Sequence, residues 1–99
     1  NEVSIGIPVQ FKLSQNYPNP FNPSTTIRYD LPFDGKVSIK IFDMSGKEAA
    51  TLVNDVKSAG YYSINFNASS LASGIYYYRI TAVSNGQNFI ETKKMILLK

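Results

Sequence analysis

Thr25-Thr26-Ile27-Arg28-Tyr29-Asp30-Leu31-Pro32-Phe33-Asp34-Gly35-Lys36-Val37-Ser38-Ile39-Lys40-Ile41-Phe42-Asp43 decides the reading of the fold. Successive side chains of an extended chain point to opposite faces. Thr25, Ile27, Tyr29 and Leu31 therefore share one face, and Val37, Ile39 and Ile41 share another, with Lys36, Ser38 and Lys40 turned away. This period of two predicts half-buried strands rather than helices. Pro32-Phe33-Asp34-Gly35 between them reads as a turn.

The same pattern continues outward. Asp43-Met44-Ser45-Gly46 is a hairpin signal, with Gly46 suited to a left-handed position, and Glu48 to Val53 is the returning strand. Asn54 to Gly60 is expected as a connection. Tyr62, Ile64 and Phe66 alternate in a further strand over 61–67. Asn67 to Gly74 is a small-residue crossover holding one large apolar residue, Leu71. Ile75 to Val83 is a long strand, Ser84 to Gln87 a polar turn, and Phe89 to Leu98 the last strand, its end apolar on both faces. Upstream, Phe11-Lys12-Leu13-Ser14 alternates as a first strand. Three prolines fall within Asn16 to Pro23, which predicts an ordered loop or an extended segment on a sheet edge. Turn signals every 8–12 residues or so and about seven strands predict an all-β, Ig-like antiparallel β-sandwich.

Composition narrows the functions. The 99 residues suit one domain, 43% of them hydrophobic and 17% charged. With no cysteine and no histidine, the chain forms no disulfide, no Cys/His zinc site, no Ser-His-Asp triad and no Cys-His dyad. No apolar run reaches about 18 residues, so no membrane-spanning helix is expected. The net charge is +3. Lys12, Arg28, Lys36, Lys40, Lys47, Lys57 and Arg79 are spread one by one along the chain, and only Lys93, Lys94 and Lys99 cluster. That spread predicts a solvated surface rather than a nucleic-acid site. The start, Asn1-Glu2-Val3-Ser4, has neither an initiator Met nor signal-peptide character, so the chain is expected to be a piece of a longer protein. Residues 1–10, with Gly6 and Pro8, read as a linker.

Each conspicuous group has a plain structural explanation beside its functional one. Asp30, Asp34, Asp43 and Asp55 fall at strand ends or turns, where a carboxylate binds local amides. A convergent acid pair or a calcium loop built on Asp43 and Asp55 is the rarer outcome. Tyr76 and Tyr78 share a face opposite Tyr77. Tyr77 with Tyr61 could form an aromatic platform for a sugar, against which stands ordinary packing. Leu71-Ala72-Ser73-Gly74-Ile75-Tyr76 has the form of a tyrosine corner, its hydroxyl reaching back upstream. Asn67-Ala68-Ser69 fits the N-glycosylation pattern, for which chance is the better account. The terminal Lys94-Met95-Ile96-Leu97-Leu98-Lys99 either closes a sheet or is offered to a partner by strand addition.

Four strings, in order, resemble the type A C-terminal sorting domain of the bacterial type IX (Por) secretion system. Leu13-Ser14-Gln15-Asn16-Tyr17-Pro18-Asn19-Pro20-Phe21-Asn22-Pro23-Ser24-Thr25-Thr26-Ile27 is similar to its opening, and Val37 to Lys47 to its second motif. Leu71 to Ile80 is similar to its third motif, and Lys93 to Lys99 to its terminal one. The middle motifs are shared with the Ig-like domain of the flagellar hook-assembly protein.

The resemblance implies an address rather than an enzyme, with no catalytic residue, metal or cofactor. Residues 1–10 would link an upstream cargo domain to a sorting domain over 11–99. The partners would be the type IX translocon and a sortase-like peptidase that removes the domain and can join the cargo to anionic lipopolysaccharide. The domain would be monomeric, without nucleic acid or membrane span, passing through the periplasm to the cell surface or medium. Cleavage would fall within Asn1 to Gln10. By position, the signal residues would be Pro18, Asn19 and Pro20 in the opening; Gly74, Tyr76 and Arg79 in the third motif; and Lys94, Met95, Leu97, Leu98 and Lys99 at the end. The alternatives are an Ig-like accessory or carbohydrate-binding module of a secreted hydrolase, and a self-associating spacer.

Overall fold

The computed structural model describes residues 7–84 and 86–99, so most of the expected linker lies outside the described residues. Seven strands form: β1 (Lys12–Leu13), β2 (Ser24–Leu31), β3 (Gly35–Asp43), β4 (Glu48–Lys57), β5 (Gly60–Asn67), β6 (Gly74–Ser84) and β7 (Gln87–Leu97). They make two antiparallel sheets, one in the order β1-β2-β5 and the other β4-β3-β6-β7. This is the expected all-β sandwich. The Pro32–Asp34 turn carries the chain from the first sheet to the second, so β2 and β3 face each other rather than pair.

The period of two sets the core. Ile27 and Leu31 of β2, Val37, Ile39 and Ile41 of β3, Tyr78 of β6, and Met95 and Leu97 of β7 have no exposed surface. Each such side chain contributes about 1.5–3 kcal/mol by leaving water. Tyr29 stacks on Tyr62 with ring centroids 5.0 Å apart, and Phe21 tilts against Phe66 at 6.3 Å. Aromatic contacts of this kind supply burial where no disulfide joins the sheets.

Local chemistry explains the turns. Gly46 has φ +90°, a conformation that costs other residues their Cβ clearance. The Asp43 carboxylate accepts from the Ser45 hydroxyl at 2.6 Å, the Lys47 amide at 3.0 Å and the Ser45 amide at 2.9 Å. These bonds, the Ser45 hydroxyl foremost, hold its carboxyl below the usual range. Asp34 accepts from the Ala59 amide at 2.8 Å, and Asp55 from the Val56 amide at 2.8 Å. Among the described residues no three His, Cys, Asp or Glu side chains lie close enough to hold a metal ion.

Three expectations need correction. The residues from Asn54 to Lys57 continue β4 rather than connect it to β5. β4 is a sheet edge with two register shifts against β3, between Ile39/Lys40 and Ile41/Phe42, and bulges erase the alternation by which a strand is recognised. The first strand keeps only two ladder residues. At the far end, β7 stops at Leu97 rather than Leu98, which is 53% exposed.

Candidate functional site

The two oddest stretches of the sequence, the proline-rich opening and the apolar end, meet along one edge. Side chains inward from β7 go into the core, and its outer backbone edge faces the opening segment. The Gln15 side-chain amide donates to the Lys94 carbonyl at 2.8 Å. The Asn19 side-chain oxygen accepts the Ile96 amide at 3.0 Å. The Phe21 amide donates to the Ile96 carbonyl at 2.9 Å, and the Leu98 amide donates to the Phe21 carbonyl at 3.0 Å, a parallel bridge centred on Leu97. Further up, Phe11 stacks on Phe89 at 5.0 Å. The opening therefore runs alongside β7 in the same direction. Proline suits an edge, where a missing amide costs no ladder bond. Here Pro18 and Pro20 alternate with Asn19 and Phe21, which supply the bonds.

Asn16 holds the opening in shape. It is only 2% exposed, and every polar atom of its side chain is used. Its amide group donates to the Thr25 hydroxyl at 3.0 Å and the Pro18 carbonyl at 3.1 Å, and its oxygen accepts from Gln15 at 2.7 Å. The Thr25 hydroxyl donates in turn to the Pro18 carbonyl at 2.8 Å. From β6 the Tyr78 hydroxyl accepts the Asn16 backbone amide at 2.8 Å and donates to the Ser14 carbonyl at 2.7 Å. Burial pushes the Tyr78 phenol up to about 12, since its ionised form would sit away from water.

The chain end is tied on its other side. The Lys99 amide donates to the Ser73 hydroxyl at 3.0 Å, and its ammonium to the Ser69 carbonyl at 2.7 Å. The Tyr76 hydroxyl donates back to the Ala72 carbonyl at 2.7 Å, the expected tyrosine corner, and Leu71 packs partly buried against the core. Gly74 opens β6 at φ +155°, opposite Leu97, and Tyr76 stands opposite Met95. Pro18, Pro20, Phe21, Asn22, Leu98 and Lys99 line a shallow depression at this end.

The residues singled out in the sequence thus divide in three. Pro18, Asn19, Pro20, Leu98 and Lys99 are brought together on the surface, whereas Lys94 meets this edge only through its backbone carbonyl, its side chain standing on the outer face of the larger sheet opposite Tyr77. Tyr76, Met95 and Leu97 lie in the core beneath it, and Gly74, itself exposed, starts β6 opposite Leu97. Arg79 stands apart on the outer face of the larger sheet, its Nε donating to the Thr92 hydroxyl at 3.1 Å. Sequence reasoning passed over Gln15, Asn16, Phe21 and Ser73, whose bonds build the junction. The one signal for Asn16 was an asparagine placed before a proline turn, where its side chain can replace backbone partners. The aromatic platform does not form: Tyr61 lies on the outer face of the smaller sheet and Tyr77 on that of the larger, so they point away from each other. The Asn67 side chain is engaged with the Ser69 amide at 2.9 Å.

Comparison with known proteins adds three findings. The family described as secretion system C-terminal sorting domain matches residues 15–98. No curated protein sequence matches the chain. Among solved structures, the chain resembles dimeric latent PorU from Porphyromonas gingivalis at a TM-score of 0.68 and 23% identity, over 85% of this chain. The match spans 9% of the PorU chain. CopC from Methylosinus trichosporium OB3b is similar at a TM-score of 0.56 and 18% identity, over 89% of this chain and 93% of CopC. At these identities the structural likenesses establish the fold alone.

Proposed function

The chain belongs to the secretion system C-terminal sorting domain family, and from that membership we propose that it addresses an upstream cargo protein to the type IX translocon for export to the cell surface or medium. The family match over 15–98 carries this reading, because it takes in both the opening and the terminal motif. The bonds of Gln15, Asn19 and Phe21 to Lys94, Ile96 and Leu98 support reading the two motifs as one surface. The domain acts as a ligand and not as a catalyst. Its cargo is joined through residues 1–10, where a sortase-like peptidase would cut after passage through the periplasm. Pro18, Asn19, Pro20, Leu98 and Lys99 are the groups a translocon subunit could touch without unfolding the sandwich. Tyr76, Met95 and Leu97 serve by holding that surface in place. Gly74 serves by its backbone.

The test is a reporter fusion. Residues 1–99 follow a signal peptide and a fluorescent protein, in a bacterium that possesses the type IX system. The wild-type fusion should leave the periplasm. A variant carrying Asn19→Ala and Lys99→Ala should stay there while keeping a folded spectrum by circular dichroism. A truncation after Thr92 is unsuitable, since it removes Met95 and Leu97 from the core and tests folding instead. A folded wild-type fusion retained in the periplasm overturns the reading.

A further inference from the structure

A second surface lies on the outer face of the larger sheet. Lys40 of β3 stands directly opposite Arg79 of β6, and Lys94 of β7 lies in the next row, opposite Tyr77. Lys36 occupies the same face further along β3, opposite Val83. Like charges on directly opposed residues destabilise a sheet. Glu48, across from Phe42, is the one carboxylate that the strand register turns to this face among the described residues, and it pairs with Lys40 at 3.6 Å. The Arg79 guanidinium lies 5.1 Å from the Phe42 ring centroid. The smaller sheet is arranged differently. There Lys12 is opposite Asp30, and Arg28 neighbours Asp30 on the same face, so its cations have an acid between them.

Apolar surface adjoins these charges. Val83 is 48% exposed and Ile90 61% exposed on this same face. Phe42 and Tyr77 also lie on this face, but the Arg79 guanidinium covers the Phe42 ring, and the exposed aliphatic Val83 and Ile90 match a protein segment better than a glycan. Ser38, Lys40, Phe42, Arg79 and Thr81 line a shallow depression in the middle. We propose that this face, centred on Lys40 and Arg79, docks an extended, carboxylate-bearing segment of a protein partner. Acidic side chains there would relieve the Lys40–Arg79 repulsion, and charge complementarity would orient the approach. The proposal is independent of the β7 junction and does not depend on secretion.

Binding of the isolated chain to a fluorescein-labelled peptide of alternating Glu and Thr, about ten residues and so ~33 Å when extended, tests it by fluorescence anisotropy. Saturable binding is expected, weakening between about 0.02 and 0.3 M salt as screening sets in. Lys40→Gln with Arg79→Gln should weaken it about tenfold. Lys12→Gln with Arg28→Gln removes the same charge from the other sheet and should change it by less than about twofold. Should the first pair fail to fold, Lys36→Gln with Lys94→Gln probes the same face and should also weaken binding. Equal loss in the two matched pairs reduces the effect to net charge and overturns the proposal. So does an absence of peptide binding, or binding of polygalacturonate in its place.

Discussion

Tyr78 and Asn16 are joined across 62 residues of chain: the Tyr78 hydroxyl accepts the buried Asn16 amide at 2.8 Å. The same hydroxyl donates to the Ser14 carbonyl, so one oxygen on β6 pairs two backbone groups of the opening segment. Tyr78→Phe keeps the ring and strands these two groups. A buried unsatisfied group costs about 1–3 kcal/mol. The variant should therefore melt roughly 5–15 °C lower, as read by circular dichroism. A melting temperature unchanged from wild type would mean that water replaces the hydroxyl and that the joint is not structural.

The same phenol, with Tyr29, sets an alkaline limit. Burial pushes both up to about 12, from an ordinary value of 10.0. For Tyr29 the neighbouring Tyr62 adds to the effect of burial. The unfolded chain then releases these protons at lower pH than the folded one. Stability is fully present below pH 10.0 and falls as pH rises towards 12, by on the order of 2 kcal/mol per ring. Urea unfolding repeated across that window should show the midpoint dropping, with a shallower drop in Tyr78→Phe. A flat profile above pH 10 would refute the assignment.

Much of this was legible in the sequence, and the limit has a physical cause. Alternation marks residues that bury one face, which is why it picks out Val37, Ile39 and Ile41 and the inward set of β2. It says nothing of backbone edges. The pairing of Phe21 with Leu97 is made by main-chain groups that every residue carries, and its partners lie far apart in sequence. Asn54 to Lys57 is hidden for a related reason: an exposed edge strand has no buried face to betray it. The choice between closing a sheet and awaiting a partner, left open for the terminal strand, is decided over Lys94 to Leu98 by the chain's own opening.

Asn19→Ala tests that closure. It removes the acceptor for the Ile96 amide while leaving the Phe21 bridge intact. Hydrogen exchange at Ile96 should accelerate at least about tenfold, with β3 amides unaffected, because the opening is local. Uniform acceleration at every strand would instead indicate global destabilisation.

Asp43 gives the opposite pH response to the tyrosines. Its carboxyl is held low by the Ser45 hydroxyl and the Lys47 and Ser45 amides. A depressed folded value means stabilisation that is present above the ordinary carboxylate range and lost as pH falls through it. Asp43→Ala should melt below wild type at neutral pH, and the two curves should converge in acid. A gap that stays constant down to about pH 2 would assign the loss to turn geometry rather than to charge.

The terminal motif should separate into parts that fold and parts that are read. Met95 and Leu97 have no exposed surface, and truncating such side chains to alanine costs about 2–5 kcal/mol. Leu98, half-exposed beyond the end of β7, should tolerate alanine within about 0.5 kcal/mol. Urea denaturation of Met95→Ala, Leu97→Ala and Leu98→Ala measures these directly. Coupled to the reporter fusion, the same variants assign the signal. If Leu98→Ala blocks export from a fully folded domain, the surface beside Pro18 and Pro20 is what the exporter touches. If export fails only in Met95→Ala and Leu97→Ala, in proportion to their lost stability, the terminal motif acts by keeping β7 in the sheet, and recognition belongs to another face.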